Sequence, residues 1–182
     1  MKNISCISWN TAKRTKYINK QVELIMKNDC DVVALQEVIY SSERMFKELL
    51  SPKYKYIFSS FDLVKDKSIL NGKRMFGQLV ASKIPCKTIS PNKMNIPWTE
   101  RVLTVLLLIE GIKIYFYTTH IPPGSSNGWI KIEMINGIVR HLINNKKYNQ
   151  ILCGDFNTPK HESLNNGLIT FAIKKKGRIE KF

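Results

Sequence analysis

The segment Ile151 to Thr158, ILCGDFNT, is an apolar run that ends in Gly154 and then presents a carboxylate and an amide two positions apart, at Asp155 and Asn157. The run suits a strand covered on both faces, and strand-like alternation puts Asp155 and Asn157 on one side. Such a pair can orient a water, hold a cation or accept a phosphate. It also fits an Asx turn that merely ends a strand, so its partners must decide. The same event recurs three times: Asn10 follows ISCISW, Glu37 follows VVALQ, and His120 follows IYFYTT. If these strands are neighbours, all four ends converge on one rim. The set is rich in oxygen and amide, with one imidazole, and suits hard Mg2+ or Mn2+ better than zinc. Glu37 would anchor the cation with Asn10 nearby, while Asp155 and Asn157 arrange the attacking water. His120, with the near-neutral pKa usual for its type, would donate a hydrogen bond or proton to a phosphate. No Ser-His-Asp order, Walker-type glycine loop or dinucleotide fingerprint competes.

Positioning these residues needs strands, and the hydrophobic periodicity supplies them. Ile4 to Trp9 reads as a strand, Lys16 to Asn28 as a helix with Ile18, Val22 and Ile25 on one face, and Asp31 to Val38 as a second strand. That order begins a layered α/β arrangement. A helix capped by Ser41 or Ser42, with Met45, Phe46, Leu49 and Leu50 inward, stops at Pro52. Further strands are expected at Tyr54 to Ser59, Gly77 to Ser82 and Cys86 to Ile89. Arg101 to Glu110 and Ile112 to Thr119 form a hairpin about the Glu110-Gly111 turn signal. Gly128 to Asn145 reads as a helix with Ile130, Met134, Ile138 and Leu142 in a stripe. Phe61 to Arg74, carrying Lys65, Lys67, Lys73 and Arg74, reads as a mobile basic loop.

With 182 residues and 43% hydrophobic content, the chain fits a single domain over residues 1–182 with a sizeable core. Its 29 Lys plus Arg against 14 Asp plus Glu leave a formal charge of +15, which favours a polyanionic partner, a nucleic acid or an anionic membrane. Cys6, Cys30, Cys86 and Cys153 are widely spaced, form no CxxC pair, and read as reduced core residues. MKNISCISWN does not read as a signal peptide, and the longest apolar run, Val102 to Ile109, falls short of the roughly 20 residues of a membrane span. A cytoplasmic location is the default expectation.

The sequence resembles the endonuclease/exonuclease/phosphatase superfamily, which includes deoxyribonuclease-I-like nucleases, apurinic-site endonucleases, deadenylases and inositol polyphosphate 5-phosphatases. The matching pieces run in family order from SWN (Ser8 to Asn10) and LQEV (Leu35 to Val38) through GQLVASK (Gly77 to Lys83) and ERVL (Glu100 to Leu103). TTHIPPG (Thr118 to Gly124) and CGDFNTP (Cys153 to Pro159) complete the series. The resemblance covers residues 3 to about 170. It implies a four-layered α/β sandwich, two packed, mostly antiparallel sheets flanked by helices, with the site at one end. It further implies metal-dependent hydrolysis of a phosphodiester or phosphomonoester. Glu37 would then be the principal metal ligand, Asn10 an auxiliary one, Asp155 and Asn157 the pair arranging water and phosphate, and His120 a phosphate contact. Arg101 has two equal readings, a phosphate ligand or a structural arginine.

The resemblance also implies a Ser-Asp-His motif near the C-terminus. Residues 158 to 182 contain no aspartate, and their one histidine, His161, reads as a loop residue. Lys174 to Lys181 reads as a basic tail. The expectation is a C-terminally short member without its last strands, with a complementing chain as a possible partner. The charge favours a nuclease. The alternatives are a non-catalytic remnant that binds nucleic acid or a partner chain, and an inositol or lipid phosphatase.

Overall fold

A computed structural model describes residues 3 to 158, together with the backbone of two further strands at 161–164 and 167–170. The chain begins with β1 (Cys6–Asn10), α1 (Ile18–Asn28), β2 (Val32–Ile39) and α2 (Glu43–Leu50). β3 (Tyr56–Ser59), β4 (Phe76–Ser82), β5 (Cys86–Ile89), β6 (Val102–Ile109) and β7 (Ile112–His120) follow. α3 (Gly124–Asn144) and β8 (Asn149–Asp155) come next, and β9 (His161–Leu164) pairs antiparallel with β10 (Gly167–Thr170). His161 therefore opens a strand rather than lying in a loop. The tail Lys174 to Lys181 lies outside the described residues.

Two four-stranded sheets form, in the orders β1-β2-β4-β3 and β5-β6-β7-β8. Each has the same internal pattern. An outer parallel pair joined by a helix, β1/β2 through α1 and β7/β8 through α3, continues into antiparallel strands. Strand alternation divides the side chains between layers. Val32, Ala34 and Val80 of the first sheet meet Leu103, Val105, Leu107 and Phe116 of the second. Val33, Leu35, Leu79 and Ala81 face the other way, onto Ile18, Val22 and Ile25 of α1 and Phe46 and Leu50 of α2. Val102 and Tyr117 pack beneath Met134 and Ile138 of α3, with Met94, Ile96 and Trp98 closing that layer. The result is the expected four-layered α/β sandwich. Strands buried on both faces explain the nearly continuous apolar runs of β2, β4 and β6.

Several local expectations change. Met45 is exposed, because α2 has only two turns and its inward stripe is narrowed to Phe46 and Leu50, with Leu49 partly covered. Tyr54 is buried but precedes its strand. The basic segment from Phe61 to Arg74 is pinned down, since Phe61, Val64 and Leu70 insert into the first core and three short 3-10 turns order the backbone. Ile151 is 37% exposed, because β8 stands at the edge of its sheet among the described residues. The four cysteines are free, but Cys6 is exposed and the other three are half-buried, so none is a true core residue.

Candidate functional site

Asn10 is the last residue of β1, His120 of β7 and Asp155 of β8, all at carboxyl ends of the parallel pairs. In each strand their alternation matches the face turned toward the opposite sheet. Asn10 shares a side with Ser8, which accepts a hydrogen bond from Gln36 between the sheets. His120 aligns with Phe116, and Asp155 with Cys153, both at the inter-sheet core. The site therefore caps the middle of the sandwich.

Glu37 does not follow that parity, nor does it end a strand. It lies within β2 and shares the helix-facing alternation of Val33 and Leu35, so a regular strand would bury it under α1. The pairing of β2 with β4 instead slips between Leu35 and Val38, and Glu37 takes a left-handed φ of 54°. One extra residue turns the carboxylate out toward the rim and returns Val38 to the helix-side core. Beneath it Gln36 remains between the sheets and donates to Thr118 Oγ1 at 2.9 Å.

β1 and β8 end in the same way. The Ala12 N–H donates to Asn10 Oδ1 and the Asn157 N–H to Asp155 Oδ1, each at 2.8 Å. The Asx turn and the functional reading therefore hold together, for one side-chain atom shapes the turn and the other enters the site. Because a backbone N–H can only donate, the orientation of the Asn10 amide is fixed, and its nitrogen points inward. Asn10 Nδ2 donates to Asp155 Oδ2 at 2.7 Å and to Glu37 Oε1 at 3.2 Å. Asn10 thus meets the two carboxylates as a donor rather than offering an oxygen beside them. Gly154 makes this ending possible: at φ 135° it lies so close to β7 that a Cβ would come within 2.0 Å of the Thr119 carbonyl oxygen.

His120 is buried with its Nε2 3.3 Å from Glu37 Oε1 and 3.0 Å from the Asn157 amide nitrogen, which donates to the Ile121 carbonyl at 2.8 Å. Arg101 reaches its Nδ1. A guanidinium only donates, so Nδ1 accepts and the proton of the neutral ring resides on Nε2, facing the site. Burial, reinforced by Arg101, pushes the imidazole down from 6.5 to about 4, against the upward pull of Glu37 and Asp155. The near-neutral value expected from the residue type does not apply in this pocket. Near neutral pH the ring is an uncharged hydrogen-bond donor.

Arg101 lies beneath the site. It is 3% exposed, rests against the rings of Phe76 and Trp98, and donates through Nη2 to the Lys73 carbonyl at 2.6 Å. Burial pulls its pKa down to about 10, which still leaves it cationic at neutral pH. These contacts favour the structural reading of Arg101, with the guanidinium orienting His120. Next to it, the fully buried Glu100 carboxylate pairs in a bidentate fork with Arg74, at 2.8 and 2.6 Å.

Glu37, His120 and Asp155 each offer one ligand atom, all within 4.8 Å of one another. With the proton of His120 on Nε2, the ring enters this space as a donor, and the two carboxylates are the groups that fit a divalent cation. Sequence reasoning missed Lys131, whose ammonium donates to the Asn157 carbonyl at 2.6 Å. It also missed Gln78, whose fully buried side-chain amide has no partner among the described residues. Only the polarity of Gln78 within an apolar strand could have flagged it.

A mixed-sheet α/β sandwich with polar strand ends gathered over its middle layer is the deoxyribonuclease-I-like fold. The chain belongs to the endonuclease/exonuclease/phosphatase family, whose model matches residues 7–170. A humanized D. rerio TDP2 carrying 14 mutations is similar with a TM-score of 0.61 at 18% identity, over 85% of this chain and 66% of that one. Sphingomyelinase C from Streptomyces griseocarneus gives 0.66 at 17% identity, over 90% and 67%. ANGEL2, a 2',3'-cyclic phosphatase, gives 0.59 at 18%, over 85% and 53%. Identities this low establish the fold alone, and this chain spans about half to two thirds of the length of these structures. No curated protein matches it in sequence.

Proposed function

We propose that this protein is a divalent-metal-dependent phosphoesterase acting on phosphodiester bonds of nucleic acid. The observation that carries the reading is the joining of Asn10, Glu37, His120, Asp155 and Asn157, from both sheets, into one hydrogen-bonded group. Glu37 and Asp155 would hold Mg2+ or Mn2+. The bound ion would stabilise the negative charge that builds on a phosphate under attack. Asn10 orients the two carboxylates. His120, neutral and with its Nε2 proton toward the site, and the Asn157 amide nitrogen beside it would both donate to a phosphate oxygen. Asp155, whose Oδ1 is engaged by its own turn and whose Oδ2 accepts from Asn10, keeps one lone pair on Oδ2 to turn toward the cation. Arg101 acts through His120 alone.

Nucleic acid is preferred as substrate because of the +15 charge. A D. rerio TDP2 of similar fold, with a TM-score of 0.62, was crystallised with a single-strand DNA product. The test is hydrolysis of a labelled single-stranded oligonucleotide and of bis(p-nitrophenyl) phosphate, with Mg2+, with Mn2+ and with EDTA. Activity is expected only with metal, and Glu37→Ala or Asp155→Ala should reduce it by at least about 100-fold with folding retained. Metal-dependent cleavage that survives in both variants refutes the assigned site. Steeply salt-dependent binding without any cleavage would favour the non-catalytic alternative, and competition by an inositol phosphate would favour a phosphatase.

A further inference from the structure

α3 is apolar on two opposite sides. Met134, Gly137 and Ile138 are buried toward the second sheet. On the far side, Trp129, Ile132, Val139 and Ile143 recur at helical spacing and are 79%, 43%, 45% and 59% exposed. Tryptophan is rarely so open to water, and this one directly follows the break at Gly128, where φ is 44° and the first turn of α3 ends. From Gly124 to Lys147 there is one acidic residue, Glu133, against Lys131, Arg140, Lys146 and Lys147.

The chemistry of this face selects its occupant. Three of its four large side chains are aliphatic and offer nothing for a nucleobase to stack on. A second copy would bring another +15 against this one. An anionic bilayer satisfies both features, taking up an apolar stripe led by Trp129 while its headgroups attract Arg140, Lys146 and Lys147. No helix of the described residues is long and apolar enough to cross a membrane, so α3 would lie in the interface rather than span it.

We propose that the outer face of α3 docks this protein onto anionic phospholipid surfaces. Lys131, on the same helix but off this stripe, holds the Asn157 carbonyl and so ties α3 to the rim of the candidate site. The inference goes beyond the phosphoesterase reading and does not depend on it.

The test is co-sedimentation with vesicles of mixed phosphatidylcholine and phosphatidylglycerol, against pure phosphatidylcholine, in EDTA so that metal-dependent chemistry plays no part. The wild-type chain should bind the mixed vesicles and bind the neutral ones far less. Combining Ile132→Ser, Val139→Ser and Ile143→Ser should weaken binding by at least about tenfold. Trp129→Ala alone should weaken it measurably, with circular dichroism and thermal midpoint unchanged in both. Absence of binding to mixed vesicles at low salt overturns the proposal, as does equal binding by the triple variant. So does a wild-type dimer in sedimentation velocity that the triple variant abolishes, which would assign the face to a second copy. Loss of single-stranded oligonucleotide binding in the triple variant, without loss of vesicle binding, would assign it to nucleic acid.

Discussion

A single amide nitrogen, Asn10 Nδ2, serves both carboxylates of the site. Exchanging it for an oxygen turns a shared donor into a third negative charge. Asn10→Asp should therefore cost about 1–3 kcal/mol in EDTA, read as a lower urea midpoint, and added Mg2+ should recover most of the loss. A midpoint equal to wild type in EDTA would mean that this donor is not oriented as described. His120 gives a pH signature of the metal-free fold. Its folded pKa, about 4, lies below the unfolded value of 6.5, so the unfolded chain takes up the proton first. The fold is at full strength above pH 6.5 and loses stability as pH falls toward 4, and the His120→Gln variant should lack this part of the decline. Urea midpoints between pH 7.5 and 4 in EDTA would show it. From sequence, the polar residues Asn10, His120 and Asp155 were legible as strand endings. The protonation of His120 was not, because burial and the guanidinium beneath it are tertiary facts.

Two irregular strand segments build the site. The bulge in β2 holds a non-glycine residue in left-handed backbone, which costs of order 1 kcal/mol. Glu37→Gly relieves that strain and removes one of two neighbouring carboxylates. The variant should be at least as stable as wild type in thermal melts while losing metal-dependent activity. A large loss of stability would mean that Glu37 is a structural residue. β8 depends instead on the missing Cβ of Gly154 against the β7 backbone. Gly154→Ala should destabilise by about 3 kcal/mol or more, because the clash is with a carbonyl that cannot rotate away. The bulge left a trace in VVALQEV, where the helix-side apolar positions Val33, Leu35 and Val38 skip one residue. A strand read as simply ending at Glu37 hides that slip. The segment from Phe61 to Arg74 looked free because its charges mask three widely spaced anchors, Phe61, Val64 and Leu70, which no local period links.

The whole molecule divides its labour between two sheets of like pattern, each with a parallel pair whose carboxyl ends carry the polar residues. This layering was legible because the order of apolar runs and helical stripes suits few arrangements. The exposed side of β8 was not, since an apolar run reads alike in a central and an edge strand. At this scale the +15 charge also has its effect. Affinity for a single-stranded oligonucleotide, followed by fluorescence anisotropy in EDTA, should fall linearly with the logarithm of salt concentration. A flat response would remove charge as the basis for preferring nucleic acid. The bond from Asn10 to Asp155 joins residues 145 positions apart. A ribosome therefore releases Asn10 and Glu37 long before His120 and Asp155 exist, and the growing chain cannot assemble the rim until residue 155 has been made and has left the exit tunnel.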